Sequence, residues 1–192
     1  LLAHEQASDA LHRRVMSPLT RRMLLAAQVE RFLEARGDAF NRRYVMHMAD
    51  ALAQFMDTCV RHEAQCADFD ALVPARFSNH WQQTMAFLAI VLKYWPEVER
   101  EQGAISQAAY LHERLTGLVR AWQASPPDIP VLAAGSTGSQ PATAALLSMV
   151  ATLPRGALLL PGVPCGLSPA YEEAIGPGHQ LFHVKSLALQ CG

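Results

Sequence analysis

No run of about 18 apolar residues occurs in this chain, so no membrane-spanning helix is expected. Neither charge dominates. Sixteen Lys and Arg stand against 17 Asp and Glu, a net charge of −1, which removes the global basic signal of a nucleic-acid-binding domain. Four cysteines are present, Cys59, Cys66, Cys165 and Cys191, without a C-x-x-C pair. Reduced thiols in a cytoplasmic protein are the simple reading. The amino end, LLAHEQASDALHRR, lacks the basic-then-apolar layout of a signal peptide. It also lacks an initiator Met, which points to a fragment of a longer protein.

Catalytic and metal-binding patterns are equally sparse. His47, His62, His80 and His112 share no carboxylate at ligand spacing. His179 and His183 are four apart, a spacing that sets two imidazoles on one helix face, but the Glu of H-E-x-x-H is missing. Glu172 and Glu173 are the only close acidic pair late in the chain, and adjacent helical residues point apart. Metal-dependent nuclease chemistry needs clustered carboxylates. Cys165 has no evident His partner to activate it. No catalytic residue, metal or cofactor is therefore expected in this segment.

What the chain does have is an abrupt change of character near Ser125. Nine of the 12 prolines lie from Pro126 onward, and only Asp128, Arg155, Glu172, Glu173 and Lys185 carry charge beyond Ser125. The expected fold class is mixed: a helical, bundle-like domain over 1–124, a linker at 125–128, and a partial α/β segment with an irregular tail over 129–192. At 192 residues and 51% hydrophobic, the chain is long enough for a real core.

The helical part opens at Ser17-Pro18, a cap followed by a first-turn proline. Leu24, Leu25, Val29, Phe32 and Leu33 form one apolar stripe, ended by Gly37. A second helix begins near Asn41, with Tyr44, Val45, Met48, Leu52, Phe55, Met56 and Cys59 as its stripe. A looser stretch holds Phe69, Leu72, Val73 and Pro74. From Phe77 the pattern resumes through Trp81, Met85, Leu88, Leu92 and Trp95, the tryptophans reading as core anchors. Pro96 reads as the start of a new turn after a break. A last helix is expected from Ile105 to Trp122, with Ala108, Leu111, Leu115, Leu118, Val119 and Trp122 inward. The short links argue for antiparallel packing.

The second part contains the most informative stretch. Val131 to Ala134 is a short apolar run, as in a strand buried on both faces. Gly135-Ser136-Thr137-Gly138-Ser139 is a loop, Pro141 a good first helical residue, and Ser139 a candidate cap. Ala144, Leu147 and Val150 recur at helical spacing; Pro154 and Gly156 end the helix; Ala157 to Leu160 is a second strand. In such a β–α–β unit the loop leaves at the carboxyl end of a strand, where open parallel sheets place ligands. The loop lacks the Lys and spacing of a P-loop and is not a nucleophile elbow. With no carboxylate beside it, it cannot hold Mg²⁺ as a Walker B strand does. Its glycines and hydroxyls fit either a tight structural turn or a cradle for a phosphorylated small molecule.

AAGSTGS, PATAALL and LPRGALLLPG resemble the alphaproteobacterial AddB family of double-strand break repair proteins. HWQQTMAFLAIVLKYWP, RAWQASPP and SPLTRRMLLA extend the resemblance to about Ser17–Ile175, most specifically over Pro130–Gly162. It implies a superfamily 1 helicase-like part that has lost its ATPase motifs, cytoplasmic, partnered by an AddA-type helicase–nuclease subunit and DNA. Ala133, Ala134 and Gly135 then stand where a helicase carries its Walker B acids. Residues 17–124 correspond to a helical insertion and 129–163 to the return into the core sheet. The nuclease domain with its iron–sulfur cysteines would lie outside this chain. The tail HQLFHVKSLALQCG keeps Lys185 but loses the basic helix typical of the family.

Two function classes follow. One is a non-catalytic scaffold or DNA-handling segment in homologous recombination. The other is a small α/β protein holding a phosphorylated ligand at Gly135, Ser136, Thr137, Gly138 and Ser139. For DNA phosphates, the candidates are the doublets Arg13-Arg14, Arg21-Arg22 and Arg42-Arg43. Glu30, Glu34 and Asp38 lie near them, so a solvated helix face with ion pairs is the competing expectation. The absence of a general base near the loop favours the first class.

Overall fold

A computed structural model describes residues 13–64, 79–162, 175–177, 179 and 181–191. Among these are six helices and two small parallel sheets, each of two strands. Two compact units emerge, Leu1–Leu111 and His112–Gly192.

The first unit is built on a helical hairpin, α1 (Pro18–Arg36) and α2 (Arg42–Arg61). Both ends of α1 are set by the residues that the sequence offered. The Ser17 hydroxyl accepts the Thr20 N–H at 3.0 Å, Pro18 occupies the first turn, and Gly37 closes the helix at φ 69°. That left-handed conformation strains any residue with a Cβ, and it lets the Gly37 N–H reach the Glu34 carbonyl at 3.0 Å. Asn41 then caps α2, its Oδ1 accepting the Tyr44 N–H at 2.8 Å.

Leu25, Val29 and Leu33 of α1 pack with Val45, Ala49, Leu52 and Met56 of α2 in one core that also includes Met16, Trp95 and Ala104. Each buried Leu, Val or Met among these contributes roughly 1.5–3 kcal/mol relative to exposure. The expected α2 stripe is trimmed at its edges: Tyr44 is exposed, and Phe55 and Cys59 are half-buried. Helix α3 (Asn79–Gln102) supplies Trp95, Leu88 and Leu92 to the core. Trp81 and Met85 fall on α3 with side chains outside the described set. Phe69, Leu72, Val73, Pro74 and Phe77 lie outside the described residues altogether. The expected break at Pro96 does not occur, since α3 runs straight through it. Pro96 is exposed, on the solvent side of the helix.

Strand β1 (Arg14–Val15) pairs in parallel with β2 (Ala104–Ile105), with Arg14 opposite Ala104 and Val15 opposite Ile105. The Met16 N–H extends the ladder to the Ile105 carbonyl at 2.8 Å. Ile105 is therefore in a strand, not at the start of a helix. Helix α4 (Gln107–Ala124) begins two residues later, with the Ser106 hydroxyl accepting the Ala109 N–H at 3.1 Å. Of its expected inward stripe only Ala108 is buried; Leu115, Leu118, Val119 and Trp122 are half-buried, and Leu111 is exposed.

The second unit contains β3 (Val131–Ala134), α5 (Pro141–Thr152), β4 (Gly156–Leu159) and α6 (Phe182–Cys191). The strands are parallel, in register from Val131 opposite Gly156 to Ala134 opposite Leu159. Helix α5 packs on both strands and against α6. Ala142, Leu147, Val150, Leu153, Ile175, Val184 and Leu187 are buried. Gly156 admits no larger residue, because a Cβ there would lie 1.9 Å from the Val150 carbonyl oxygen.

The strands differ from expectation in one respect. They alternate instead of being buried on both faces: Val131, Ala133, Gly156 and Leu158 are half-buried, whereas Leu132 (70% exposed) and Leu159 (65% exposed) face outward with Ala134 and Ala157. Helix α5 covers one face, and a strand is buried on both only when a second layer covers the other.

Candidate functional site

The strand–loop–helix junction is where the second unit concentrates its conformational specialisation. Gly135, at φ 79°, donates its N–H to the Leu159 carbonyl at 3.1 Å and so completes the β3–β4 ladder. Gly138, at φ 64°, donates at 3.4 Å to the Ser136 hydroxyl, a weak bond that tightens the turn. A Cβ on Gly138 would come within 3.0 Å of Leu187 Cδ2 on α6. The loop is thus pressed against the buried face of α6 at this point. Ser136 is half-buried, while Thr137 and Ser139 are exposed.

The expected cap at Ser139 is not formed. Pro141 does open the helix, but the cap position falls to Gln140, in extended conformation with no side-chain hydrogen bond. The helix begins directly at Pro141, so Ser139 stands one residue too early to act as its cap. The Ala144 N–H reaches the Gln140 carbonyl at 2.9 Å, which is the first turn's own backbone bond.

Chemically the junction is bland. From Val131 to Pro141 there is no ionisable side chain. Arg155 sits at the opposite, amino end of the sheet, its guanidinium donating to the Asp128 carbonyl at 2.8 Å. The loop offers hydroxyls but no general base of its own to activate them.

The six candidate arginines have separate fates. Arg21 is 8% exposed and bonded to Asp57 at 2.6 Å, with a longer contact of 3.4 Å to the Ala53 carbonyl. Its guanidinium lies over the Trp95 ring, 5.8 Å from the centroid. It is a buried tie between α1, α2 and α3, which removes it from any phosphate-facing set. Arg22 pairs with Asp50 across the hairpin at 2.7 Å, both side chains partly exposed. Arg14 is exposed and donates to the Gln102 carbonyl at 3.0 Å, reinforcing the β1–β2 pairing. Arg13, Arg42 and Arg43 are exposed. Arg42 and Arg43 start α2, whereas Arg13 and Arg14 precede α1. The two doublets are therefore separated by the 19-residue length of α1, about 28 Å at 1.5 Å per residue.

The Arg21 tie continues into a network. Trp95 Nε1 donates to Glu99 Oε1 at 2.9 Å, and the same oxygen accepts the Ser106 backbone N–H at 3.2 Å. Ser106 in turn caps α4. Sequence reasoning missed this network, yet one signal was present. Arg21 stands four residues before Leu25 and eight before Val29, in register with the buried stripe of α1. Charge alone groups it with the surface residues.

The remaining titratable groups form no site among the described residues. His179 lies before α6, and its Nδ1 accepts the Leu181 N–H at 3.1 Å. Since α6 begins at Phe182, His179 and His183 do not share a helix face. No cluster of three or more His, Cys, Asp or Glu suited to a metal ion occurs among the described residues. Cys66, Cys165, Glu172 and Glu173 lie outside the described residues. On α3 the Arg100 guanidinium holds the Glu97 carboxyl below its ordinary range, through its hydrogen bond first and its charge second. Both groups are fully solvated, so the pair is a surface feature of little weight.

No protein-family model matches the chain, and no curated protein or solved structure is significantly similar to it. No helix among the described residues is long and apolar enough to cross a membrane.

Proposed function

We propose that this chain is a non-catalytic, helicase-like segment of an AddB-type double-strand break repair protein. It would serve as scaffold and DNA-handling surface beside an AddA-type helicase–nuclease subunit in homologous recombination. The observation that carries the reading is the end of β3. A parallel strand–loop–helix–strand unit is what the return into a helicase-like core sheet requires, though other α/β folds share it, and its first strand ends in Ala133-Ala134-Gly135, with no acid to hold Mg²⁺. The close approach of Gly138 to Leu187 supports a structural turn over a ligand cradle.

The test has two arms. Labelled ATP analogue with Mg²⁺ is expected not to bind, and low-micromolar binding would contradict an ATP-inert element. Co-expression with an AddA-type subunit is expected to give a stable complex on size-exclusion chromatography. Failure to co-elute at micromolar concentrations removes the scaffold role. A rise in the melting midpoint with inorganic phosphate, abolished by Ser136→Ala, would instead move the protein into the phosphate-binding class.

A further inference from the structure

We draw no further inference here: the strongest candidate, the exposed apolar face of the β3–β4 ribbon formed by Leu132, Ala134, Ala157 and Leu159, is an unpartnered surface, and nothing in the structure shows what covers it.

Discussion

Arg21 illustrates how a residue's surroundings decide its role. A guanidinium taken out of water needs both a counter-charge and hydrogen bonds, and Asp57 and the Trp95 ring supply most of that compensation. Removing the cation leaves Asp57 facing the same low-dielectric site without a partner. Arg21→Ala is expected to cost about 2–4 kcal/mol, toward the lower side for a buried pair because Asp57 keeps some solvent access. Arg21→Met with Asp57→Leu should recover much of the loss. Urea unfolding checks both, and a single mutant within about 0.5 kcal/mol of wild type would show the tie to be energetically idle. At the GSTGS loop the contrast lies between neighbours. Gly138→Ala combines a left-handed backbone with a 3.0 Å approach to Leu187, and is expected to cost about 1–2 kcal/mol. Ser139→Ala should change stability by less than about 0.5 kcal/mol, since no cap is lost. Thermal unfolding of the two variants side by side makes the comparison; equal losses would contradict it.

Element boundaries follow local chemistry wherever one residue type has one task. Ser17-Pro18, Gly37 and Asn41 mark helix ends in the sequence and in the structure, because capping needs a side-chain oxygen or a glycine at a single position. Ser17→Ala should therefore destabilise by about 0.5–2 kcal/mol, read as a lower denaturation midpoint; an unchanged midpoint would mean that Thr20 or water replaces the cap. Pro96 fails as a boundary for the opposite reason. Its cost is local, while Leu88, Leu92 and Trp95 before it and Val98 after it hold the helix to the core. Pro96→Ala restores a backbone donor inside α3 and is expected to raise stability, by about 1–3 kcal/mol. A decrease in the midpoint would show that the packing favours the proline. The two-residue strands β1 and β2 had no legible signal, since so short a segment carries no period. The exposure of Leu132 and Leu159 was illegible too: an apolar run reports affinity for burial, not whether a covering layer exists. The Ser139 cap was missed by one position, because Pro141 fixes where the helix starts more firmly than the serine attracts it.

For the molecule as a whole, charge placement limits what DNA contact this segment makes by itself. With Arg21 buried and Arg22 engaged by Asp50, the exposed doublets lie at opposite ends of α1 in a chain of net charge −1. Few phosphates are neutralised at once, so binding to duplex or single-stranded DNA is expected to be weak and lost at moderate salt. The slope of log K against log salt should be no steeper than about −4, as for four or so phosphate contacts. Fluorescence anisotropy across a salt series measures it, with Arg42→Ala/Arg43→Ala weakening the binding further. Tight, sequence-dependent association at physiological salt would contradict this distribution of charge. Arg14 and the Gln102 carbonyl, 88 positions apart in sequence, meet at hydrogen-bonding distance, so the chain enters and leaves the three long helices through one doorway. A body whose entrance and exit coincide is portable. It occupies no more of a host's backbone than a tight loop does, and it can be excised and replaced by a short bridge, or carried into another fold, without stretching the chain on either side.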